Sequence, residues 1–228
     1  MYVSRVGERG WLLAVFDGHN GPGTADVAAK RIGEVFARCA EQYGVGPAAV
    51  DAAVGAIRDE VAERNDGSSA SVVFVDEQED RAYASVLGDS PVMVRTETDE
   101  VAMAPLHNTA ANPEDAARAV ERGALLVGPY LVDSDRMEGV NLTRTIGDAD
   151  LTFLGRTPES AQFSLGPRSF VLVASDGMFT FLAPTPDALL SRAADLVDAG
   201  LSAEAMVEDA LAAGSDDNVT VLLWRPEA

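Results

Sequence analysis

Four acidic residues stand at the ends of apolar runs typical of β-strands, and this pattern restricts the fold more than any other feature of the sequence. Three aspartates follow such a run and a fourth precedes one, at Asp17, Asp89, Asp176 and Asp217. In an antiparallel sheet, the end of one strand lies beside the start of its neighbour. The four carboxylates can therefore meet at one sheet edge, where they would repel one another unless cations lay between them. The pattern predicts a metal site.

The ligands that this pattern offers are oxygen atoms. Carboxylates dominate, and the sequence has no paired histidines and no cysteine cluster that would favour zinc. Mn²⁺ or Mg²⁺, hard cations that prefer carboxylate and water, fit better. Two such ions sharing one carboxylate would generate hydroxide from water and neutralise a phosphoryl group. A single Asp-Gly step often forms only a turn, but four acidic positions in order at strand ends favour the metal site.

The composition limits the partners and the compartment. A formal charge of −20 and a pI near 4.3 argue against nucleic-acid binding, because no basic stripe exists to replace the counterions of nucleic-acid phosphates. No apolar run approaches the length of a membrane span, and the N-terminus lacks the layout of a signal peptide. The single cysteine, Cys39, allows no internal disulfide, which suits a reducing compartment. We therefore predict a cytoplasmic protein with no membrane partner.

Hydrophobic periodicity predicts paired helices towards both ends of the chain, with strands between them. The predicted helices cover 24–43, 47–65, 113–123, 186–199 and 202–213, and the predicted strands cover 11–16, 71–75, 81–87, 91–96, 100–104, 170–175 and 219–224. Residues 128–140 look irregular, and no linker divides the chain. We predict a single domain over 1–228 of the α/β (α+β) class, with sheets covered by helices on their outer faces.

Five motifs follow one another in a recognisable order, at Phe16–Gly21, Leu87–Ser90, Leu142–Asp148, Ala174–Gly177 and Asp217–Val221. Together they resemble the metal-dependent serine/threonine protein phosphatases, the protein phosphatase 2C or PPM family. Gly67–Ala70 is similar to the family's Gly-Ser-Thr-Ala segment. The resemblance covers residues 11–224. It implies a four-layer α-β-β-α sandwich of two mostly antiparallel sheets flanked by helices, and hydrolysis of phosphoserine or phosphothreonine in a phosphorylated protein substrate.

The resemblance also implies a role for each matching acidic residue. Asp17 would bridge two metal ions, and Gly18 would give its backbone carbonyl to the second of them. Asp176 and Asp217 would be the remaining side-chain ligands of the first ion. Asp89, with Asp176, would hold a third and weaker ion, as in bacterial members of the family. The implied cofactors are thus two Mn²⁺ or Mg²⁺ ions, with a third at the weaker site.

The two histidines have different implied roles. His19 resembles the group that protonates the leaving alkoxide, and this role suits the chemistry, because a serine alkoxide leaves poorly without a proton. The implied catalytic residues are therefore His19 and the bridging Asp17. His107 lies in a turn-like stretch and is expected to form hydrogen bonds within a loop. Asn218 and Asp148 are interpreted as structural supports.

The N-terminal part departs from the family pattern. Family members have an earlier strand with an arginine that grips phosphate and a glutamate that holds metal-bound water. Sixteen residues precede Asp17, and Arg5, Glu8 and Arg9 do not stand at the family's spacing, so we expect that strand to be missing. Arg5 is the nearest substitute for the phosphate contact, because its strand is predicted beside the one that leads to Asp17. Thr180 stands where many relatives carry another aspartate.

Two other interpretations fit parts of the sequence. A catalytically impaired PPM-like pseudophosphatase, acting as a binding or regulatory module, would account for the missing arginine, although the chain keeps its central aspartates. The segment Asp148–Thr152 fits the Asp-x-Asp-x-Thr signature of haloacid-dehalogenase phosphatases. That chemistry needs the first aspartate at the end of a buried hydrophobic strand and usually a later lysine, whereas Lys30 is the only lysine in the chain.

Overall fold

The computed structural model describes residues 1–179 and 185–227, so Thr180 lies outside the described residues. Within these ranges the helices are α1 (Gly23–Tyr43), α2 (Pro47–Glu60), α3 (Pro113–Glu121), α4 (Pro186–Asp198) and α5 (Ala203–Ala212). The strands are β1 (Tyr2–Val6), β2 (Gly10–Val15), β3 (Gly18–His19), β4 (Gly67–Ser68), β5 (Ala70–Asp76), β6 (Arg81–Leu87), β7 (Val92–Arg95), β8 (Val101–Met103), β9 (Leu125–Val127), β10 (Tyr130–Asp133), β11 (Glu138–Val140), β12 (Ile146–Gly147), β13 (Glu159–Ser164), β14 (Phe170–Ala174) and β15 (Val221–Trp224).

Two large sheets form the centre of the molecule. The first has the strand order β1-β2-β5-β6-β13, and the second has the order β15-β14-β7-β8. Neighbouring strands in both sheets are antiparallel, as predicted. Two small sheets accompany them, with the orders β12-β4-β3 and β11-β10-β9.

The four layers follow from the alternation of side chains along each strand. In β2, Leu13 belongs to the core between the two large sheets, which it shares with Val173 of β14. The adjacent Leu12 points to the opposite face and shares a second core with Phe36 of α1. A third core joins Leu172 of β14 to helices α4 and α5. The predicted α-β-β-α sandwich is confirmed.

The helices cover the outer faces of the sheets, and their bounds agree with the periodicity of the sequence to within a few residues. Helix α2 ends earlier than predicted, at Glu60, and turns connect it to β4. None of the helices in the described ranges is both long enough and apolar enough to span a bilayer.

Two parts of the sequence prediction fail. Residues 128–140 are not irregular but contribute β10 and β11 to a small sheet, whose edge strand β9 exposes all three of its side chains. Such a strand lacks the alternation that identifies a half-buried strand in a sequence. Strand β13 was not predicted, because it is a polar edge strand in which only Phe163 is buried. Polar residues are typical of edge strands, which must not attract further strands.

The core between the first sheet and its helices gives a testable consequence. Phe74 of β5 is fully buried, and its ring centroid lies 5.6 Å from that of Phe36. We expect Phe74→Ala to lower the free energy of unfolding by about 3–5 kcal/mol, because the substitution leaves a cavity between sheet and helix. Urea unfolding followed by circular dichroism measures this change. Tyr43→Ala, at an exposed aromatic of α1, is the control and should change stability by less than about 0.5 kcal/mol.

Candidate metal centre

Strand direction brings the four predicted aspartates to one pocket. Strands β2 and β6 both run antiparallel to β5, so they end at the same edge, with Asp17 and Asp89 just beyond their last residues. In the second sheet, Ala174 at the end of β14 pairs with Val221 at the start of β15. This pairing places Asp176 beside the segment that carries Asp217. All four aspartates line one pocket of about 290 Å³, here called the carboxylate pocket, together with Gly18 and His19.

A chain of serine hydroxyls fixes the backbone behind the carboxylates. The backbone N–H of Asp17 donates to Oγ of Ser69 at 3.2 Å, and the Ser69 N–H donates to the carbonyl of Asp17 at 2.9 Å. The Ser69 and Ser90 hydroxyls lie 2.6 Å apart, and Ser90 follows Asp89 directly. Gly88 completes this packing with φ of +98°, where a Cβ would lie 2.7 Å from Cβ of Ser69. The hydroxyls therefore couple the ends of β2 and β6.

Burial and mutual repulsion perturb the carboxylates. Burial, the charge of Asp176 and a hydrogen bond shared with it raise the pKa of Asp17 to about 7. Burial and then the charge of Asp176 raise the pKa of Asp89 to about 7 as well. The pKa of Asp176 is also raised, by burial first and by the charge of Asp217. At neutral pH, these carboxylates are held together against their own repulsion.

The donor set fits a hard divalent cation. Among the described residues, no lysine or arginine lines the carboxylate pocket, so no permanently cationic side chain there offsets the negative charge. Carboxylate and carbonyl oxygens are the ligands that Mg²⁺ and Mn²⁺ prefer. Among the described residues, no group of three or more histidine, cysteine, aspartate or glutamate side chains is already arranged to hold a metal ion. The fit therefore lies in the chemistry and charge of the pocket, and not in a finished ligand shell.

His19 is held by a buried carboxylate. Its Nε2 lies 2.8 Å from Oδ2 of Asp148, a residue with no exposed surface. The other oxygen of Asp148, Oδ1, has no hydrogen-bond partner among the described residues. Gly67 lies against this pair, and a Cβ there would overlap both the carboxylate of Asp148 and the imidazole of His19. Asp148 thus supports His19, and the pair requires glycine at position 67. Asp148 follows the two-residue strand β12, and not a long buried hydrophobic strand of the kind that the haloacid-dehalogenase signature requires.

The residue before Gly67 connects this pair to helix α1. The Asp66 carboxylate accepts a hydrogen bond from the backbone N–H of Thr24 at 2.6 Å, which satisfies one of the free donors at the start of α1. The backbone carbonyl of Asp66 accepts from the Thr24 hydroxyl at 2.7 Å and from the N–H of Asp148 at 3.2 Å. One residue therefore fixes both the start of the helix and the backbone that supports His19.

The structure does not bring Arg5 to the carboxylate pocket, which corrects the substrate-binding role predicted for it. Strand β1 does pair with β2 as expected, but Arg5 lies opposite Trp11, at the end of β2 remote from Asp17. Its guanidinium forms an ion pair with Glu77 at 2.9 Å and stacks over the Trp11 ring at 5.2 Å. The sequence correctly indicated which strands are neighbours, but not which end of the strand Arg5 occupies.

Other lining residues were not predicted. Ser69 and, from the segment around β10 and β11, Tyr130, Val140 and Asn141 line the carboxylate pocket. The similarity of Gly67–Ala70 to a family motif was a usable signal for Ser69. The residues from the segment around β10 and β11 lie in a loop-like stretch of the sequence, which gave no signal of a site. His107 is buried away from this pocket and its Nε2 lies 3.2 Å from a carboxylate oxygen of Glu159, as expected for a loop hydrogen bond.

Comparison with known proteins identifies the family of this chain. The family model for protein phosphatase 2C matches residues 7–219. The chain belongs to the protein phosphatase 2C family. The probable protein phosphatase 2C 11 of Arabidopsis thaliana is 25% identical to this chain over an alignment of 236 residues. The alignment covers 95% of this chain. The chain spans 58% of the length of that plant protein.

Solved structures share the fold of this chain. A sex-determining protein of C. elegans superimposes with a TM-score of 0.77 at 23% identity, covering 93% of this chain and 55% of the nematode chain. The catalytic domain of the serine/threonine phosphatase PstP, solved in complex with two manganese ions, superimposes with a TM-score of 0.62 at 22% identity. That match covers 97% of this chain and 88% of PstP.

Charge repulsion in the carboxylate pocket predicts that Asp89→Asn stabilises the metal-free protein. The folded pKa of Asp89 is raised to about 7, so deprotonation opposes folding increasingly as pH rises from about 4 to about 7. The increase in the free energy of unfolding caused by Asp89→Asn should be absent below about pH 4. It should reach about 1–4 kcal/mol above about pH 7, since one pKa unit corresponds to about 1.4 kcal/mol. Urea unfolding in EDTA at several pH values measures it.

Asp26→Asn is the matched control for this experiment, because Asp26 is an exposed carboxylate outside the pocket. A stabilisation by Asp89→Asn that does not grow with pH, or a destabilisation above about pH 7, would contradict the account of the carboxylate pocket.

Proposed function

We propose that residues 1–228 form a single domain that hydrolyses phosphoserine and phosphothreonine in phosphorylated proteins, with Mn²⁺ or Mg²⁺ as cofactor. The observation that carries this proposal is the convergence of four aspartates on one pocket, which none of the lysines and arginines in the described ranges lines. Membership of the protein phosphatase 2C family and the fold shared with PstP support it. The sequence also favours a reducing compartment, and a cytoplasmic location stays a prediction.

The proposed ligands are those of the carboxylate pocket. Asp17 would bridge two ions, Gly18 would contribute its carbonyl, and Asp176 and Asp217 would bind the first ion. Asp89, beside Asp176, would bind a third ion more weakly. When bound, the ions would supply a nucleophilic hydroxide from water and neutralise charge on the phosphoryl group. The aspartates themselves orient this chemistry, and they are stabilised by the positive charge that relieves their repulsion.

His19 is the proposed general acid. Its Nε2 is held by Asp148, so Nδ1 of the doubly protonated ring is the nitrogen that would give a proton to the leaving oxygen of serine or threonine. Asp148 fixes the orientation of the ring and its tautomer, as a carboxylate behind a catalytic histidine commonly does. Asp148 is therefore a positioning residue rather than a group that contacts the substrate.

The second candidate is the pseudophosphatase that binds phosphorylated partners without turnover. It is favoured by the lining of the carboxylate pocket, which within residues 1–179 and 185–227 includes no arginine to bind the substrate phosphate. A positioned arginine gives a bidentate, charge-assisted contact to phosphate. We expect its loss to weaken substrate binding more than the chemical step, and hence to give turnover with a high Michaelis constant. Phosphate release from a phosphothreonine peptide separates the two candidates, because a pure binding module would release none.

Removal of a proposed ligand should abolish turnover without unfolding the chain. We expect Asp176→Asn and Asp217→Asn each to lower kcat/KM by at least about a hundredfold, because charge stabilisation by metal is worth several kcal/mol. EDTA should have the same effect on the wild type. The measurement is phosphate release from a phosphothreonine peptide with added Mn²⁺.

Two variants serve as controls for the ligand test. Asp216→Asn replaces a carboxylate that is adjacent to Asp217 in the sequence but does not line the carboxylate pocket. Arg5→Ala replaces an arginine that is remote from the pocket. Both should keep kcat and KM near the wild-type values. Full activity in EDTA, or equal losses from Asp216→Asn and Asp217→Asn, would refute the metal-dependent mechanism.

The leaving group distinguishes the proposed role of His19. His19→Ala should lower turnover of a phosphothreonine peptide by about 10² to 10⁴, but change turnover of p-nitrophenyl phosphate far less, because a phenolate leaves without a proton. Asp148→Asn should show the same asymmetry with a smaller loss. Asparagine tolerates the left-handed backbone of Asp148, whose φ is +46°. Equal losses on both substrates would show that the pair has only a structural role.

A further inference from the structure

A second pocket, of about 260 Å³, is lined by four arginines. We call it the arginine pocket, and its lining consists of Asp115, Arg118, Arg122, Thr143, Arg144, Gly155, Arg156 and Thr157. None of these residues lines the carboxylate pocket. The chain carries a formal charge of −20, so a local excess of positive charge runs against its average surface. The family assignment and the proposed metal centre give this pocket no function.

One carboxylate engages two of the four arginines. Asp115 accepts hydrogen bonds from Nε of Arg144 at 2.5 Å and from Nη2 of Arg118 at 2.8 Å. Burial alone would raise the pKa of Asp115, but these hydrogen bonds outweigh it and lower the pKa. Arg144 also forms an ion pair with Glu159 at 3.2 Å. Arg118 forms a second ion pair, with Glu114 at 3.8 Å. These contacts fix two of the four guanidinium groups.

The other two arginines form no ion pair with any carboxylate of the described residues. Arg156 donates to uncharged acceptors, including the hydroxyl of Thr145 at 2.7 Å and the backbone carbonyl of Asp148 at 2.6 Å. Arg122 donates to the carbonyl of Phe153 at 3.3 Å. Burial lowers the pKa of Arg156, against the opposing charge of Asp148. Arg156 has lost water without gaining a carboxylate, and Arg122 is exposed without one, so both guanidinium groups can accept an anion.

An unsatisfied hydroxyl belongs to the same lining. Thr143 is 1% exposed, and its Oγ1 has no hydrogen-bond partner among the described residues. Buried hydroxyls are nearly always hydrogen-bonded, and one without a partner calls for an acceptor or donor from outside the chain. The arginine pocket thus combines uncompensated positive charge with an unused hydroxyl.

We propose that the arginine pocket is a second anion site that binds a phosphate group, separate from the metal centre. The planar guanidinium groups, held by carbonyls and by Asp115, match the tetrahedral oxygens of phosphate with paired N–H donors. Two sources share this chemistry. One is inorganic phosphate, which the proposed reaction releases, and the other is a second phosphorylated residue of a protein substrate.

The decisive experiment is a calorimetric titration of the full chain with inorganic phosphate in EDTA at low ionic strength. Without metal, the carboxylate pocket repels phosphate, so saturable binding that Arg122→Gln weakens and Arg38→Gln does not reports the arginine pocket. Arg122→Gln should weaken this binding by about tenfold or more, because a charge-assisted hydrogen bond is lost. No turnover is needed, so the result is independent of whether the proposed phosphatase activity exists.

Arg38→Gln is the matched control. Arg38 is an exposed arginine of α1, it forms no ion pair within the described residues, and it lies outside both pockets. Arg156→Gln gives a second variant in the pocket, and thermal unfolding of each variant confirms that it folds. Absence of saturable phosphate binding by the metal-free wild type would overturn the proposal. Equal affinities of Arg122→Gln and Arg38→Gln would overturn it too.

Kinetics with peptides that carry one or two phosphothreonines then identify the source of the phosphate group. A lower Michaelis constant for the doubly phosphorylated peptide, lost in Arg122→Gln, would assign the arginine pocket to the substrate. Equal Michaelis constants, with phosphate binding retained in the titration, would assign it to free phosphate. Either result supports the site and selects its ligand.

Discussion

Repulsion among the aspartates of the carboxylate pocket is the force that the surrounding structure has to withstand. Flexible loops would let the charges separate, but Asp17, Asp89 and Asp176 each follow a paired strand. A strand end cannot withdraw without leaving backbone donors and acceptors unpaired, so the ladder hydrogen bonds of two sheets hold the charges in place. The hydroxyls of Ser69 and Ser90 strengthen this restraint. The sandwich therefore stores electrostatic energy at one edge, which a cation would release.

The acid side of the proposed chemistry depends on a different part of the fold. His19, Gly67 and the segment before Asp148 belong to a three-stranded sheet of two-residue strands. Such short pairing is weak, and the cap that Asp66 gives to α1 reinforces it. The metal centre thus relies on the two large sheets, whereas the positioning of His19 relies on a helix start. A substitution in the large sheets should therefore affect the carboxylate pocket first, whereas a substitution at the start of α1 should first affect the position of His19.

The sequence allowed the carboxylate cluster to be predicted, because aspartates at the ends of apolar strands are a local signal with a fixed geometric consequence. The order of helices and strands indicated sheets covered by helices, and the four-layer sandwich followed from the family resemblance. The sequence did not allow the place of Arg5 to be predicted, since neighbouring strands can be inferred without knowing the register that puts Arg5 opposite Trp11. Strand β13 was not predicted, because its polar edge residues give no hydrophobic pattern. The arginine pocket was not predicted, because its arginines come from α3, its C-terminal end and two later loops. Only the folded chain brings them together.

The missing side chain at Gly67 has a genetic consequence. Any single-nucleotide change that alters this codon's residue introduces at least a Cβ, and that atom would separate His19 from Asp148 while leaving every aspartate of the carboxylate pocket intact. A variant of this kind should keep the proposed metal ligands but lose the contact that orients the proposed proton donor. Position 67 is thus a point at which one mutation would separate the two proposed roles of the site, cation binding and proton donation.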